Sequence, residues 1–303
     1  MRIQKLLPVV RVALCLAAVC LAAPLAAQAN DSAAKLAEQL KPVFTHASLE
    51  SGDYDAWVNQ LLPMIEKDPA GDASVVAMAR IGRRLDELAT SRPVYAMLER
   101  MRAGNFAACG DAADDYAALW LRLARRYSTD LAWQEQRKPW MGITSASYIG
   151  PFAEGGGTIH DDAFSPEAML DFNARATGPW GGLAWQGVRH HDPQDDEIDL
   201  YEQARWSGYG YYVATVLVSD AARDVTLKLA FHGPGKVWLN GEYLFNADAR
   251  RHELPQPLEL PVSLRRGRNV LLLKISGISQ VSIRVRQGGL PVQGVLAQAP
   301  QAS

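Results

Sequence analysis

The chain is poor in cysteine, and this excludes two kinds of site. It has three cysteines in 303 residues, and Cys15 and Cys20 lie in an apolar N-terminal leader. Removal of that leader leaves Cys109 alone, without an intrachain disulfide or a cysteine-based zinc site. The residues before Cys109, from 106 to 108, are Phe-Ala-Ala. We therefore expect a buried thiol that behaves as a small apolar side chain.

The chain also lacks a long run of one charge sign. Its formal net charge is −2. The first 29 residues hold Arg2, Lys5 and Arg11 and no acid, so the remainder has 28 basic against 33 acidic residues, a net charge of −5. A mildly acidic chain with no basic block argues against nucleic acid as the main partner.

Only the N-terminus has a long apolar run. Residues 1–5 are positively charged, residues 6–25 are largely apolar, and residues 27–29 read Ala-Gln-Ala. This pattern predicts a signal peptide of residues 1–29 that is cleaved near Ala29. A retained signal anchor is the alternative, but Arg11 and two prolines interrupt the run. We expect a periplasmic or secreted protein with no membrane span after cleavage.

Familiar catalytic signatures are missing. The sequence has no Gly-x-Ser-x-Gly elbow, no Walker-type loop, no His-Glu-x-x-His and no Gly-x-Gly-x-x-Gly after a strand. Glycoside hydrolysis needs two carboxylates on either side of one bond, at about 5–10 Å from each other. Nothing in the sequence selects such a pair among its many acids. We therefore assign no catalytic residue, and a non-enzymatic role is favoured.

Residues 30–137 have the apolar period of helices. Ser91 followed by Pro93 predicts a helix start, because proline suits the first helical turn. Between residues 72 and 88 one apolar stripe is predicted from Val75, Met78, Ala79, Gly82, Leu85 and Leu88. After Asp111 the clearest stripe contains Tyr116, Leu119, Trp120, Leu123, Ala124 and Tyr127.

A faint internal repeat runs through this helical region. Residues 51–56 resemble residues 103–108, with Gly52 and Gly104 in register. The pattern predicts a stack of helical hairpins that is tetratricopeptide-like, although the spacing exceeds the usual repeat of about 34 residues. We expect the apolar stripes to form the core, with a peptide-binding groove as the alternative.

The second half of the chain has the period-2 pattern of strands. Residues 225–231, 258–264 and 281–285 alternate apolar and polar, and prolines place residues 258–264 at a sheet edge. Asn240-Gly241 joins two short apolar runs and predicts a hairpin with a type I′ turn. The continuous apolar run after Asn269 predicts a strand buried on both faces.

These last motifs carry a resemblance to a known family. Val237-Trp-Leu-Asn-Gly241, a Pro-containing connection, and then Leu264-x-x-Gly-x-Asn-x-Leu-Leu-x-Lys274 resemble the galactose-binding-like jelly roll that accompanies family 2 glycoside hydrolases. Ile149-Gly-Pro-Phe152 is similar to the opening of a related sandwich in secreted bacterial proteins. The resemblance implies a non-catalytic accessory domain and an Asn-Gly that forms a turn rather than a ligand contact.

The resulting prediction is an α+β multidomain protein. An N-terminal α-helical repeat-like domain (30–137) is followed by a jelly-roll, galactose-binding-like β-sandwich (138–287) and a disordered tail (288–303). Between residues 164 and 205 the periodicity is weak, which predicts short strands and long loops over one end of the sandwich.

Aromatic residues of the sandwich are the candidates for ligand binding. Sugar C–H faces stack on flat rings, and sugar hydroxyls need hydrogen-bonding side chains beside them. Each ring also has a structural alternative, because Trp238 and Tyr243 flank the Asn-Gly turn as cross-strand neighbours. The candidate rings are Trp180, Trp185, Trp206, Tyr209, Tyr211 and Trp238.

An acidic run is the candidate for a metal site. Clustered loop carboxylates are the ligands that Ca²⁺ prefers, although this spacing matches no EF-hand. A solvated loop is the alternative, and a cofactor is otherwise not expected. The weak Ca²⁺ candidates are Asp192, Asp195, Asp196 and Glu197.

The resemblance and the aromatic residues favour an exported, non-catalytic binding module. Its sandwich recognises a carbohydrate or a cell-envelope polymer. One alternative is a protein–protein adaptor that binds a protein partner on the helical domain. The other is a glycoside hydrolase-type enzyme.

Overall fold

The computed structural model places an N-terminal helical region before antiparallel β-sheets, which confirms the α+β organisation. The chain divides into two compact units, residues 1–137 and 138–303, here named the helical unit and the sandwich unit. The structure describes residues 26–45, 49, 51–128, 132–154, 161–188, 197–200, 209–231, 233–247, 258–276 and 280–300.

Two of the described helix connections in the helical unit contain short 3₁₀ turns, one at Leu85–Glu87 and the other at Ala107–Ala112. Ser91 is the N-cap of its helix and proline lies in the first turn, as predicted. The described helices are α1 (Ala26–Phe44), α2 (Tyr54–Lys67), α3 (Asp72–Arg83), α4 (Arg92–Ala103), α5 (Ala113–Tyr127) and α6 (Ala132–Arg137).

The apolar stripe of α5 is the centre of this unit. Tyr116, Trp120, Leu123 and Ala124 are buried, and α5 packs against α4 and α3. The phenol of Tyr116 donates a hydrogen bond to the carbonyl oxygen of Pro69 at 2.8 Å. The stripe therefore serves as core, as expected, rather than as an open groove.

The predicted face of α3 is wrong in part. Ala79 is exposed and Val75 is half-buried, whereas Val76, Ala77 and Ile81 are buried. The apolar residues of α3 cover more than one stripe, because small alanines lie on several faces. Contacts with α1 and α2 then decide which face is buried.

The sandwich unit contains two main sheets. Among the described strands, one sheet has seven strands with the order β4-β1-β6-β11-β8-β9 and β14 beside β6. The other has five strands with the order β10-β7-β12-β13 and β5 beside β12. The described strands are β1 (Ser147–Glu154), β2 (Ala176–Gly178), β3 (Gly181–Leu183), β4 (Gln186–Gly187), β5 (Ile198–Asp199), β6 (Tyr209–Ser219), β7 (Arg223–Phe231), β8 (Gly235–Leu239), β9 (Glu242–Ala247), β10 (Leu258–Leu264), β11 (Gly267–Ser276), β12 (Gln280–Gln287), β13 (Leu290–Pro291) and β14 (Val295–Gln298). A short helix, α7 (Ser165–Ala168), follows β1.

Strand β11 is buried on both faces, as its continuous apolar run predicts. Leu271, Leu273 and Ile275 belong to the core between the two sheets. Leu272 faces the other way and belongs to a second cluster on the outer face of the seven-stranded sheet. The predicted edge position of β10 is also confirmed, because β10 pairs only with β7 among the described strands.

The Asn240-Gly241 hairpin has the predicted backbone geometry. The φ angles are +55° at Asn240 and +81° at Gly241, as a type I′ turn requires. The Asn240 amide also ties the turn to β11. Its Oδ1 accepts from the Val270 N–H at 2.9 Å, and its Nδ2 donates to Asn269 Oδ1 at 3.1 Å.

We expect Asn240→Ala to lower the free energy of unfolding of the sandwich unit by about 1–2 kcal/mol. Alanine tolerates the left-handed region poorly and cannot make the two amide hydrogen bonds. Asn240→Gly is the control, because glycine keeps the backbone conformation and loses only the side chain. Chemical denaturation followed by tryptophan fluorescence measures both. An alanine variant as stable as the wild type contradicts this account of the turn.

The predicted disordered tail (288–303) is wrong for residues 288–300, the part of it that the structure describes. They include β13 and β14, and Val295 to Gln298 pair antiparallel with Ser219 to Val216 of β6. The pairing of β6 with β1 ends at Ala214, so β14 pairs with the remaining part of the same side of β6. Val295 and Ala297 pack on the core, and Ser147 Oγ donates to the Pro300 carbonyl oxygen at 3.0 Å. The strand has only four residues, and the exposed Leu296 breaks the apolar–polar alternation that would have indicated it.

Residues 164–185 lie on the outer face of the seven-stranded sheet rather than over one end of the sandwich, and β4 then joins that sheet beside β1. Phe164, Phe172, Leu183 and Trp185 pack against the outer cluster. That cluster consists of the buried residues Ile149, Phe152, Tyr212, Ala214, Trp238 and Leu272. Of the short strands in this segment, β2 contributes Ala176 and β3 contributes Leu183 to this packing, whereas β4 consists of Gln186 and Gly187.

Candidate functional site

Two of the predicted rings are core residues. Tyr209 and Tyr211 are buried between the two sheets, and burial raises the pKa of Tyr211. The ring of Tyr211 lies so close to Gly150 that a Cβ there would meet it at 2.5 Å. Neither position offers a face for stacking on a ligand. Trp206 lies outside the described residues.

Trp180 is the most exposed of the predicted rings that the structure describes. It lies in the turn between β2 and β3, and 57% of its surface is exposed. Its ring contacts the Tyr209 ring edge-to-face, with 4.9 Å between centroids. Trp185 differs, because it is half-buried against Phe172, with 5.0 Å between centroids.

Trp238 supports a ring that lies outside the predicted set. It pairs directly with Tyr243 across the β8–β9 hairpin, as the turn predicts, and their centroids are 5.6 Å apart. Trp238 is buried in the outer cluster, whereas Tyr243 is 51% exposed. The buried indole therefore fixes an exposed phenol ring on the outer face of the seven-stranded sheet.

Polar side chains lie around this exposed ring on the same sheet face. Lys236 is two residues before Trp238 on β8, and it pairs directly with Asn246 of β9. Burial raises the pKa of Tyr243, and the negative charge of Glu167 raises that pKa further. We name Tyr243, Trp238, Lys236 and Asn246 the Tyr243 platform. The Asn-Gly turn pairs Trp238 with Tyr243, and a register shift between Val237 and Trp238 then pairs Lys236 with Asn246. Glu167 comes from α7.

A buried ion pair borders the platform and holds α7 on the sheet. The Lys274 side chain is 0% exposed, and its Nζ lies 2.8 Å from Glu167 Oε1. The Nζ also donates to the carbonyl oxygen of Asp162, and the Tyr212 phenol donates to Glu167. Burial lowers the pKa of Lys274, and Glu167 partly offsets that effect. The pair joins residues 161–168 to the middle of the sheet.

A groove lies on one side of the sandwich, between the edge strands β9 and β10. Its volume is about 560 Å³. Val225, Leu239, Leu244 and Val262 contribute its apolar lining. Asp224, Asn240, Glu242 and Ser263 contribute its polar lining. This edge groove lies at the Asn-Gly end of the strands, whereas Tyr209, which contacts Trp180, pairs near their opposite end.

The predicted Ca²⁺ site falls mostly outside the structure. Asp192, Asp195 and Asp196 are not among the described residues, and Glu197 is half-buried. In the described part of the chain, no three His, Cys, Asp or Glu side chains are grouped closely enough to hold a metal ion. The helices described are all too short or too polar to cross a bilayer.

No family model and no curated protein matches the sequence. Solved structures do match parts of it. A family 35 carbohydrate-binding module from an environmental isolate has 18% identity and a TM-score of 0.24, with 31% of this chain and 74% of that chain covered. The Epithelial Adhesin 9 A domain from Candida glabrata, in complex with Galb1-4GlcNAc, has 10% identity and a TM-score of 0.30, with 51% and 89% covered. The β-glucosidase from Kluyveromyces marxianus has 11% identity and a TM-score of 0.30, with 46% and 17% covered. At these TM-scores the likenesses carry no argument about function.

Proposed function

We propose that this chain is an exported, non-catalytic carbohydrate-binding protein, and that the Tyr243 platform is its binding surface. The observation that carries the proposal is a half-exposed phenol ring fixed by a buried indole, with hydrogen-bonding side chains beside it. A cell-envelope polymer built of sugars is the ligand class that fits an exported protein.

The chemistry of the platform suits a sugar ring. The C–H face of a pyranose stacks on a flat aromatic surface, and an aromatic pair keeps that surface in one orientation. The ammonium of Lys236 donates hydrogen bonds, and the amide of Asn246 both donates and accepts them, so both fit sugar hydroxyls. The two sides of a sugar, apolar face and hydroxyl rim, are therefore matched on one sheet face.

Trp180 is a second exposed ring in the sandwich unit. Its contact with Tyr209 holds it as Trp238 holds Tyr243. A polymer chain has many equivalent sugar rings, so two rings on one domain increase avidity when both engage. We assign Trp180 the secondary role, because it lies in the turn between two three-residue strands rather than on a strand of the seven-stranded sheet.

The two alternative functions gain no support from the described residues. An adaptor requires an open apolar face on the helical unit, but most of the α5 stripe is buried. An enzyme requires reacting groups at an accessible surface. In the cluster of Lys274, Glu167 and Tyr212, burial shifts the pKa of Lys274 and of Tyr212. Its lysine side chain is 0% exposed, so solvent does not reach it.

We expect the full chain to be retained on at least one polymer of a panel of insoluble polysaccharides and peptidoglycan. Tyr243→Ala should reduce the affinity at least about tenfold, because tyrosines that anchor a ligand typically contribute 2 kcal/mol or more. Trp180→Ala should have a smaller effect. Leu296→Ala is the matched control, because Leu296 is 66% exposed on the same sheet and has no ring. An EDTA arm tests the proposed Ca²⁺ dependence separately.

The control separates loss of stacking from general loss of exposed apolar surface. Equal losses for Tyr243→Ala and Leu296→Ala would contradict the platform. Retention by no polymer would contradict the function, and a protein partner of the helical unit would then be sought. If EDTA abolishes retention of the wild-type protein, whose Tyr243 platform is intact, Ca²⁺ would be assigned to the acidic run at residues 192–197.

A further inference from the structure

The edge groove has features of a separate ligand site. Its volume of about 560 Å³ falls in the range of small-molecule pockets, which is about 300–1,000 Å³. Its apolar lining comes from both sheets, with Val225 and Val262 on one and Leu239 and Leu244 on the other. A ligand in the groove therefore covers apolar surface at the open margin of the sandwich.

Both charged side chains in the described lining of the groove are acidic. Asp224 and Glu242 both contribute to its lining, and neither forms an ion pair with a described Lys, Arg or His. Asp224 accepts a hydrogen bond from Ser263 Oγ at 2.6 Å. The nearest cation that the contacts identify is Arg265, whose guanidinium lies 3.4 Å from Asn240 Oδ1. Among the described lining residues the charged side chains are these two exposed carboxylates, and carboxylates attract a cation.

Other groups of the groove are already engaged. The Asn240 amide bonds to β11, and the Ser263 hydroxyl donates to Asp224. The lining holds no aromatic ring on which a sugar could stack. Pro261 removes one backbone N–H from the edge of β10, which disfavours the addition of a peptide strand there. A small molecule thus fits better than a sugar or an extended peptide.

We propose that the edge groove binds a small organic cation, an amine or guanidinium on an apolar body. The apolar body lies against Leu244 and Val262, which are half-buried at the groove, and the cation lies beside Asp224 and Glu242. This site is independent of carbohydrate binding, because it lies between the sheets rather than on the outer face that carries Tyr243.

The test uses 4-phenylbutylamine and its neutral counterpart 4-phenylbutanol with the ¹⁵N-labelled full chain. Two-dimensional NMR locates each probe, and titration gives its dissociation constant. We expect the amine to shift the amides of Val225, Leu239 and Glu242 and to bind about tenfold more tightly than the alcohol. Added salt should weaken the binding of the amine, because exposed charges are screened.

Charge-removing variants complete the test. The double variant Asp224→Asn, Glu242→Gln keeps the shapes of both side chains and removes their charges. It should lower the affinity for the amine about fivefold or more. Asp111→Asn is the matched control, because it removes one exposed charge from the helical unit, and it should leave the affinity unchanged. Equal binding of amine and alcohol, shifts elsewhere in the chain, no binding, or an unaffected double variant would each overturn the proposal.

Discussion

Glu167→Ala is expected to lower the free energy of unfolding of the sandwich unit by about 3–5 kcal/mol at neutral pH. Breaking a buried ion pair leaves its partner uncompensated, and costs of this size are typical. Here the partner is Lys274, whose side chain is 0% exposed, and the Tyr212 phenol loses its acceptor as well. Urea unfolding followed by tryptophan fluorescence measures the loss.

A buried lysine without a partner avoids this cost when it loses its proton. The loss of stability caused by Glu167→Ala should therefore depend on pH. Burial already lowers the pKa of Lys274 below its ordinary value, and removal of Glu167 lowers it further. A lysine with a lowered pKa destabilises the folded state most below its folded pKa. The penalty disappears as pH rises to its unfolded pKa of about 10.4. The deficit of Glu167→Ala should therefore be smaller at pH 9 than at pH 7.

A paired variant is the control for this prediction. Lys274→Met combined with Glu167→Gln removes both charges and keeps an acceptor for Tyr212. Because apolar replacement of both partners is often close to neutral, the double variant should recover most of the stability. A Glu167→Ala variant within about 1 kcal/mol of the wild type would contradict the role of the ion pair, as would a deficit that grows with pH.

Leu123→Asp is expected to unfold the helical unit. Leu123 is buried on the α5 stripe, so the substitution removes an apolar side chain from the core and buries a charge with no partner. Changes of this kind exceed about 4 kcal/mol, which is most of the stability of a small domain. Circular dichroism at 222 nm should fall, and limited proteolysis should cleave the helical unit first.

Ala118→Asp is the matched control on the same helix. Ala118 is exposed, so the introduced aspartate stays in water and helicity should be retained. A Leu123→Asp variant that remains soluble and fully helical would contradict the assignment of the stripe to the core.

Local patterns were sufficient for much of the sandwich fold. Asn240-Gly241 predicts its own backbone angles, because few residue pairs tolerate two positive φ values. The same turn sets the register of β8 and β9 beside it, so it also predicts that Trp238 and Tyr243 are neighbours. The register shift beyond Trp238, which pairs Lys236 with Asn246, has no such local signal. Alternation predicts β7, β10 and β12, because the apolar residues of each strand lie on the face toward the core.

Contacts between distant segments could not be read in the same way. The Lys274–Glu167 pair joins residues 107 positions apart, and no local pattern links a strand lysine to a four-residue helix. The exposure of the rings is also a tertiary property. Tyr209, Tyr211 and Tyr243 all lie in segments with the composition of strands, so the sequence does not distinguish them. Sheet packing buries Tyr209 and Tyr211 and leaves Tyr243 half-exposed.

The tetratricopeptide-like and family 2-type assignments stay predictions, and so does export through a cleaved signal peptide. The helical hairpins and the antiparallel sandwich do not depend on them, because the described helices and strands establish both. The Tyr243 platform depends only on the register of β8 and β9 and on the burial of Trp238.

The central claim is that the Tyr243 ring is the surface on which a sugar stacks. The measurement that tests it most directly is the dissociation constant of a soluble oligosaccharide, taken from the polymer that retains the protein, for wild type, Tyr243→Phe and Tyr243→Ala. Phenylalanine keeps the ring, so we predict an affinity within about threefold of wild type for Tyr243→Phe and a loss of at least about tenfold for Tyr243→Ala. Equal affinity for all three folded proteins would contradict the claim.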